Sequence, residues 1–287
     1  MTPTLAAVRI DLHTHSTASD GTDSPARLVR AAAELGIDVI ALTDHDTFAG
    51  LDEAADAART VGVRLVPGVE VSCVAGDVPF HLLGYWCDPD DAALGAELAL
   101  NRDDRVPRAK EITRRLAEAG YPISWEDVCA QVRPGATIGR PHLADALVAA
   151  GAVADRDEAF AELLRDGSPY VVGHHYVDHR TIVPLVRASG GVAVIAHMGA
   201  ASRGRVLPES AVETMTEQGL AGLEVDHPDH DAATRARLRG LAVRLGLLVT
   251  GSSDYHGRGK RQALGEETTA PAVLAALAAL VRPVAAG

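Results

Sequence analysis

Ile10-Asp11-Leu12-His13-Thr14-His15-Ser16, with Asp20-Gly21 close behind, is the stretch on which the fold turns. Val8, Ile10 and Leu12 are apolar and bounded by polar residues, the pattern of a short buried strand. Side chains two apart on a strand share a face, so His13 and His15 leave together. Two loop histidines on the surface would look the same in isolation. Adjacent imidazoles at a strand end, however, make a poor core and half a metal site. The arrangement also returns near the other end of the chain as Asp254-Tyr255-His256-Gly257.

Outward from this strand the chain alternates between strand and helix. Ser24 and Pro25 open a helix that Gly36 closes. Val39 to Asp46 reads as an apolar strand with a polar tip, followed by an Ala-rich helix to about Thr60. Strands follow over Val63–Ser72 and Val78–Trp86. Later come a strand over Gly191–His197, a helix over Pro208–Gln218 and a strand over Gly222–Val225. A helix over Ala232–Leu245, a strand over Leu247–Ser253 and a helix over Ala270–Val281 complete the series. This rhythm predicts parallel strands with helices packed outside. It breaks between about Asp88 and Asp178, where helical patterns at Arg108–Ala119, Arg140–Ala150 and Asp157–Arg165 carry no clear buried strand. The expectation is a barrel from residues 1–87 and 179–287, with 88–178 inserted as a helical cap over its mouth.

The 287 residues suffice for one large α/β domain with an insertion. With 27 Lys+Arg against 39 Asp+Glu, the net charge of −12 argues against a broad basic surface for duplex DNA. A small anionic substrate drawn to bound metals stays compatible with that charge. Cys73, Cys87 and Cys129 are odd in number and scattered, which points to a reducing compartment. The first residues lack a basic segment followed by an apolar one, and no run of 18 apolar residues occurs. The expectation is a cytoplasmic protein with no membrane partner.

Strand ends collect the chemistry. They carry His13 and His15 with Asp20 behind them, then Asp44 and His45, Glu70, His81, His197, and finally Asp254 and His256. In a closed parallel barrel these ends converge on one face. Each residue has a plainer reading: His81 or His197 as a satisfied half-buried histidine, Glu70 as a structural carboxylate, Asp44 or Asp46 as a helix cap. Together the plainer readings fail, because six imidazoles with the carboxylates Asp20, Glu70 and Asp254 would crowd one mouth with nothing to neutralise them. Two or three divalent ions would account for them all.

The blocks Asp11-Leu12-His13-Thr14-His15-Ser16, Thr43-Asp44-His45-Asp46, Ile195-Ala196-His197 and Ser253-Asp254-Tyr255-His256-Gly257 resemble the four motifs of the polymerase and histidinol phosphatase (PHP) superfamily. Gly68-Val69-Glu70-Val71-Ser72 and the insertion extend the resemblance along nearly the whole chain. Ile138-Gly139-Arg140-Pro141-His142-Leu143-Ala144 and Gly222-Leu223-Glu224-Val225-Asp226-His227-Pro228-Asp229-His230 are similar to segments of stand-alone bacterial phosphoesterases of the 3′,5′-nucleoside bisphosphate phosphatase type. Met198 departs from the proline expected after the motif histidine. The resemblance implies a distorted (β/α)7 TIM-like barrel holding up to three metals. His13, His15, Glu70 and Asp254 would hold one ion. Glu70, bridging, would hold a second with His81 and His197, and Asp20, His45 and His256 a third. Imidazole and carboxylate ligands suit Mn, Fe or Zn, with Mn the first expectation.

Such a centre suits phosphate monoester hydrolysis by a metal-activated water held by Glu70, His197 and Asp254. The substrate class implied is a small phosphorylated nucleotide, with short RNA ends beside it. Arg140, between Gly139 and Pro141, is the candidate for gripping a second phosphate. His142 and His230 are weaker candidates for substrate contact. Arg102, Arg105 and Arg108 suit the inner side of the insertion, although charge runs usually form a solvated face. His174, His175 and His179 read as surface loop residues. Three rivals stand beside this reading: a histidinol-phosphate phosphatase, an amidohydrolase-type deacylase and a module without catalysis. Glu70 and the Asp254-x-His256 pair fit the deacylase poorly, and the filled ligand positions disfavour the module.

Overall fold

The computed structural model describes residues 8–133, 136, 138–165, 167–173, 175–200 and 206–283. Seven strands lie side by side in the order β1 (Ile10–Asp11), β2 (Val39–Leu42), β3 (Arg64–Ala75), β4 (Val78–Tyr85), β6 (Val192–Ile195), β7 (Gly222–Asp226) and β8 (Leu248–Gly251). A short β5 (Val177–Asp178) joins β3 from the side. The sheet curls until its edges nearly meet. Thr14 bridges Tyr255, the His15 N–H donates to Tyr255 O at 2.8 Å, and Ser253 donates from backbone N and Oγ to the Asp11 carboxylate at 3.1 and 2.5 Å. The result is a distorted seven-stranded barrel of the TIM type.

Alternation along β2 explains the layering. Val39 and Ala41 pack with Ile10, Leu12, Leu83, Tyr85 and Val194, and with Leu274 and Leu277 of the closing helix Pro271–Ala278. Ile40 and Leu42 face the other way, onto Leu28, Val29 and Ala32 of α1 (Pro25–Glu34) and Ala54 and Ala58 of α2 (Leu51–Val61). Period-two side chains buried on both faces are what a barrel strand under helices requires. Ser24 caps α1, with its side chain accepting from the Arg27 N–H and Pro25 in the first turn, as the sequence predicts.

The rhythm departs from expectation at β4. It runs antiparallel to both β3 and β6. Only Gly76 and Asp77 separate β3 from β4, far too few for the crossover that a parallel pair needs, and Gly76 takes φ +62° in the turn. The β1 segment is also shorter than read, ending at Asp11, with His13 and His15 flanking the isolated Thr14 bridge.

The insertion is helical: α3 (Ala92–Glu118), α4 (Trp125–Ala130), α5 (Arg140–Ala149), α6 (Arg156–Glu158) and a π-helical segment Ala159–Leu164. It has an apolar cluster of its own, with Ile112, Leu116, Val128, Leu143, Leu147, Leu163 and Leu164 buried together. Each such side chain contributes about 1.5–3 kcal/mol when fully removed from water. The α3 helix begins sixteen residues before the amphipathic stretch read at Arg108, running through Pro107. Its N-terminus is fixed by Asp91, whose side chain accepts from the Ala93 and Leu94 N–H groups. Arg105 and Arg108 are buried, so this run turns inward and is not a solvated face. His179 is likewise not a loop residue: it is buried at the start of α7 (His179–Ala188). His175 is exposed and 3.2 Å from Glu97, and His174 lies outside the described residues.

Candidate metal centre

Strand tips assemble the site. Glu70 sits within β3, beside the tip of β2, where it bridges His45. Its Oε2 lies 3.2 Å from His13 Nε2, 3.0 Å from His15 Nε2 and 3.2 Å from His45 Nδ1. Its Oε1 lies 2.9 Å from His81 Nδ1 and 3.0 Å from His197 Nε2. One buried carboxylate therefore meets five imidazoles. His81 reaches it because β4 is antiparallel: its N-terminal half, opposite Ser72, lies at the end where the parallel strands finish. Asp254 Oδ1 stands 3.4 Å from Nε2 of both His13 and His15. Asp20 closes the other side, 3.8 Å from His15 and His45 and 3.3 Å from His256.

Three overlapping groups have ligand atoms close enough to share an ion: His13, His15, Glu70 and Asp254; His15, Asp20, His45 and His256; and His45, Glu70 and His81. The nine residues expected from the strand ends thus come together, His197 joining through Glu70. The donor set fits divalent metal. Among the described residues Nδ1 of His45, Nδ1 of His81 and Nε2 of His256 are buried and, though each lies 2.9–3.3 Å from a carboxylate oxygen, none makes a well-aligned hydrogen bond, a costly state for polar atoms. Nε2 of His13 and Nε2 of His15 face each other at 3.1 Å. Burial pushes the His45 imidazole down to about 3, and burial with the neighbouring His15 and Lys260 charges pushes His256 down to about 4. Both are neutral, as a ligand nitrogen must be. Burial would raise Glu70, yet His81, His45 and His13 hold it well below the ordinary carboxylate range.

A surrounding shell aims these ligands. Glu224 Oε1 lies 3.0 Å from His13 Nδ1, and its Oε2 accepts from the His197 N–H at 2.9 Å. Asp44 accepts from Ser16 and Ser19, and Asp46 from Ser72, Asn101 and Arg105. Outer partners of this kind fix ring orientation and ligand basicity. Sequence reasoning left β7 as the barrel strand without a role. Its signal was Glu224 inside an apolar strand, where an unpaired carboxylate would be expensive.

The residues of the helices between β4 and β5 divide. His142 Nδ1 accepts from the Gly139 N–H at 3.1 Å, and His142 and Arg156 both lie within electrostatic range of Asp20. Arg156 also grips Asp145, and the adjacent Asp157 pairs with Arg261 of the barrel at 2.6 Å. Arg140 donates to Leu164 O at 2.9 Å and lies 5.8 Å from the Phe160 ring, so contacts inside the cap anchor its guanidinium. His230 corrects the expectation of a substrate contact. Its Nδ1 is bonded to Val225 O at 2.9 Å and its Nε2 accepts from the Gly199 N–H at 3.1 Å, which leaves no ring nitrogen for a ligand.

The chain is 36% identical over 251 residues to a 3′,5′-nucleoside bisphosphate phosphatase from Chromobacterium violaceum, covering 88% of each protein. Residues 11–119 match the model of the PHP domain. The chain belongs to the PHP family. Among other relatives, a phosphoribosyl 1,2-cyclic phosphate 1,2-diphosphodiesterase from Eggerthella lenta is also 36% identical over 251 residues, 86% of this chain and 94% of that one. A crystal structure of a Bifidobacterium adolescentis protein assigned as a metal-dependent phosphoesterase superposes with a TM-score of 0.93 at 40% identity, over 97% of this chain and 98% of its own.

Proposed function

We propose that this PHP chain removes the 3′-phosphate of nucleoside 3′,5′-bisphosphates, with residues 88–178 acting as a cap that holds the second phosphate. At the coarser level it is a metal-dependent phosphoesterase, a hydrolase of phosphate esters. The observation that carries the reading is the convergence of three overlapping ligand groups on Glu70 and its neighbours, with Arg156 and His142 within electrostatic reach of Asp20. Divalent ions bound there would neutralise phosphoryl charge and acidify a water. On this reading Glu70, His197 and Asp254 would hold the water that attacks phosphorus. A new P–O bond forms there as the ester P–O bond breaks, and the nucleoside oxygen leaves with a proton. Nothing in this route needs a serine or cysteine nucleophile. Arg156, with His142, supplies the donors for the distal phosphate, since a guanidinium binds phosphate through paired N–H groups. Short RNA ends offer the same terminal phosphate chemistry.

The Eggerthella relative motivates a second reading, hydrolysis of a cyclic phosphodiester. One panel separates the two: the Mn²⁺-loaded enzyme on adenosine 3′,5′-bisphosphate, adenosine 5′-monophosphate, p-nitrophenyl phosphate and a ribose 1,2-cyclic phosphate. The bisphosphate should give the highest kcat/KM. Arg156→Ala should cost it about 2–3 kcal/mol, the scale of a lost charge-assisted contact, and should spare p-nitrophenyl phosphate. A bisphosphate no better than p-nitrophenyl phosphate would sink the proposal, and a preference for the cyclic ester would establish the second reading.

A further inference from the structure

Asp254 shows its two carboxylate oxygens to different neighbours. Oδ1 faces His13 and His15, whereas Oδ2 lies 2.8 Å from the Lys260 ammonium and 3.5 Å from His227 Nε2. His227 Nδ1 accepts from the Asp229 N–H at 3.0 Å. In a neutral ring that leaves the hydrogen on Nε2, the nitrogen turned toward Asp254. Neither Lys260 nor His227 belongs to a ligand group. His227 is fully buried. Lys260 follows the short turn Gly257–Gly259 and keeps 26% of its side chain exposed, beside an Asp254 that keeps 1%. Its charge is felt at His256 as well, so the ammonium lies within electrostatic reach of two of the ligand groups.

A fixed positive charge beside a metal-binding carboxylate works against cation binding, by plain Coulomb repulsion. The placement becomes favourable once an anion must bind at the same spot. An ammonium carries three donors on a flexible four-carbon stem, and Asp254 is its hydrogen-bond partner among the described residues. We infer that Lys260 is a substrate-contacting residue: its ammonium swings from Asp254 Oδ2 to a non-bridging oxygen of the phosphoryl group undergoing hydrolysis, while His227 keeps Asp254 in place. The partly exposed stem allows the swing, and the buried His227 ring stays beside the carboxylate, 3.5 Å from Oδ2. This rests on the phosphoesterase reading and adds to it a cation from the barrel, distinct from those of the cap.

The test compares wild type with Lys260→Met, Lys260→Gln and Lys260→Arg, using Mn²⁺ alone and then inorganic phosphate as probes. Mn²⁺ content by elemental analysis and Mn²⁺ affinity by calorimetry should be unchanged or improved in the two neutral variants. Phosphate affinity of the Mn²⁺-loaded protein should fall at least tenfold in both and recover in Lys260→Arg, with kcat/KM on a phosphate monoester following the same order. Loss of Mn²⁺ from the neutral variants would overturn the inference, because Lys260 would then serve only to orient Asp254. Unchanged phosphate affinity would overturn it too. A wild-type protein inactive on every phosphate ester would instead defeat the proposed function.

Discussion

Glu70 and Asp20 illustrate how differently two carboxylates in one site can matter. Glu70 is 1% exposed and meets His13, His15, His45, His81 and His197; Asp20 is 7% exposed and meets His15, His45 and His256 at longer range. Glu70→Gln keeps the size but removes the charge that opposes five imidazoles and two neighbouring ion positions. It should lose metal and at least about 100-fold in kcat/KM, whereas Asp20→Asn should lose about 10-fold, the lower end for a perturbed ligand environment. Metal content and kinetics measured on both variants decide the point; equal losses would mean that Glu70 bridges nothing. Only part of this contrast was readable beforehand. Strand periodicity put both residues near the mouth, but the number of rings around Glu70 depends on β4 folding back along β3, a long-range consequence of the Gly76-Asp77 turn.

At the scale of elements, the joint between α3 and the barrel lies at Asp46. This residue sits at φ +54°, fully buried, and its carboxylate accepts from Ser72 N at 2.8 Å, Ser72 Oγ at 3.0 Å, Asn101 Nδ2 at 2.8 Å and the Arg105 guanidinium. Its carbonyl accepts from Arg102 Nη1 at 2.5 Å. Burial opposes ionisation here, and Arg105 together with the Ser72, His45 and Asn101 contacts outweighs it, holding the carboxyl below its usual range. Arg105→Met should therefore destabilise chelated, metal-free protein by about 3 kcal/mol, the scale for stranding one partner of a buried ion pair. Adding Asp46→Asn should restore part of that, since the stranded charge is gone. Urea unfolding of the two variants reads the difference; a loss below about 1 kcal/mol in the single variant would show that the pair is not the joint. The three-residue spacing of Arg102, Arg105 and Arg108 was visible in the sequence. Their inward direction was not, because a solvated face and a docked face carry the same local pattern.

For the whole molecule, two outcomes follow from what is buried. Metal bound to folded protein alone stabilises it by mass action. Mn²⁺ at a hundred times its dissociation constant adds about 2.7 kcal/mol, or roughly 5–10 °C of melting temperature for a chain of this size. Chelation should reverse that shift along with the activity, and activity surviving thorough demetallation would end the metallohydrolase account. The alkaline limb has another origin. Burial raises the Cys87 thiol from 9.0 to about 11 and pushes Cys73 and Tyr85 well above their ordinary values. Groups raised on folding contribute stability below their unfolded pKa and lose it as pH climbs past that value. Stability should accordingly fall from about pH 9 upward, with Cys87 accounting for about 3 kcal/mol by pH 11. Urea midpoints between pH 8 and 11 should slope less steeply in Cys87→Ala; identical slopes would remove Cys87 from the explanation.

The sequence by itself determined which residues stand at the mouth and that their chemistry suits cations. A period-two strand dictates side-chain direction within a few residues, and an apolar run ending in His, Asp or Glu reports its own polar tip. The paired His13 and His15 and the paired Asp254 and His256 were therefore legible without coordinates, as was the interruption of the βα rhythm. Tertiary structure alone decided that Asp11 would hold Ser253, that Glu224 would aim His13, that Arg105 would turn inward to Asp46, and that Lys260 would lie on Asp254. Most of these contacts join residues far apart in the chain, through charges whose local sequence suits open solvent equally well. Their partners are set by how the barrel closes and where the helices between β4 and β5 dock, which no window of neighbouring residues encodes.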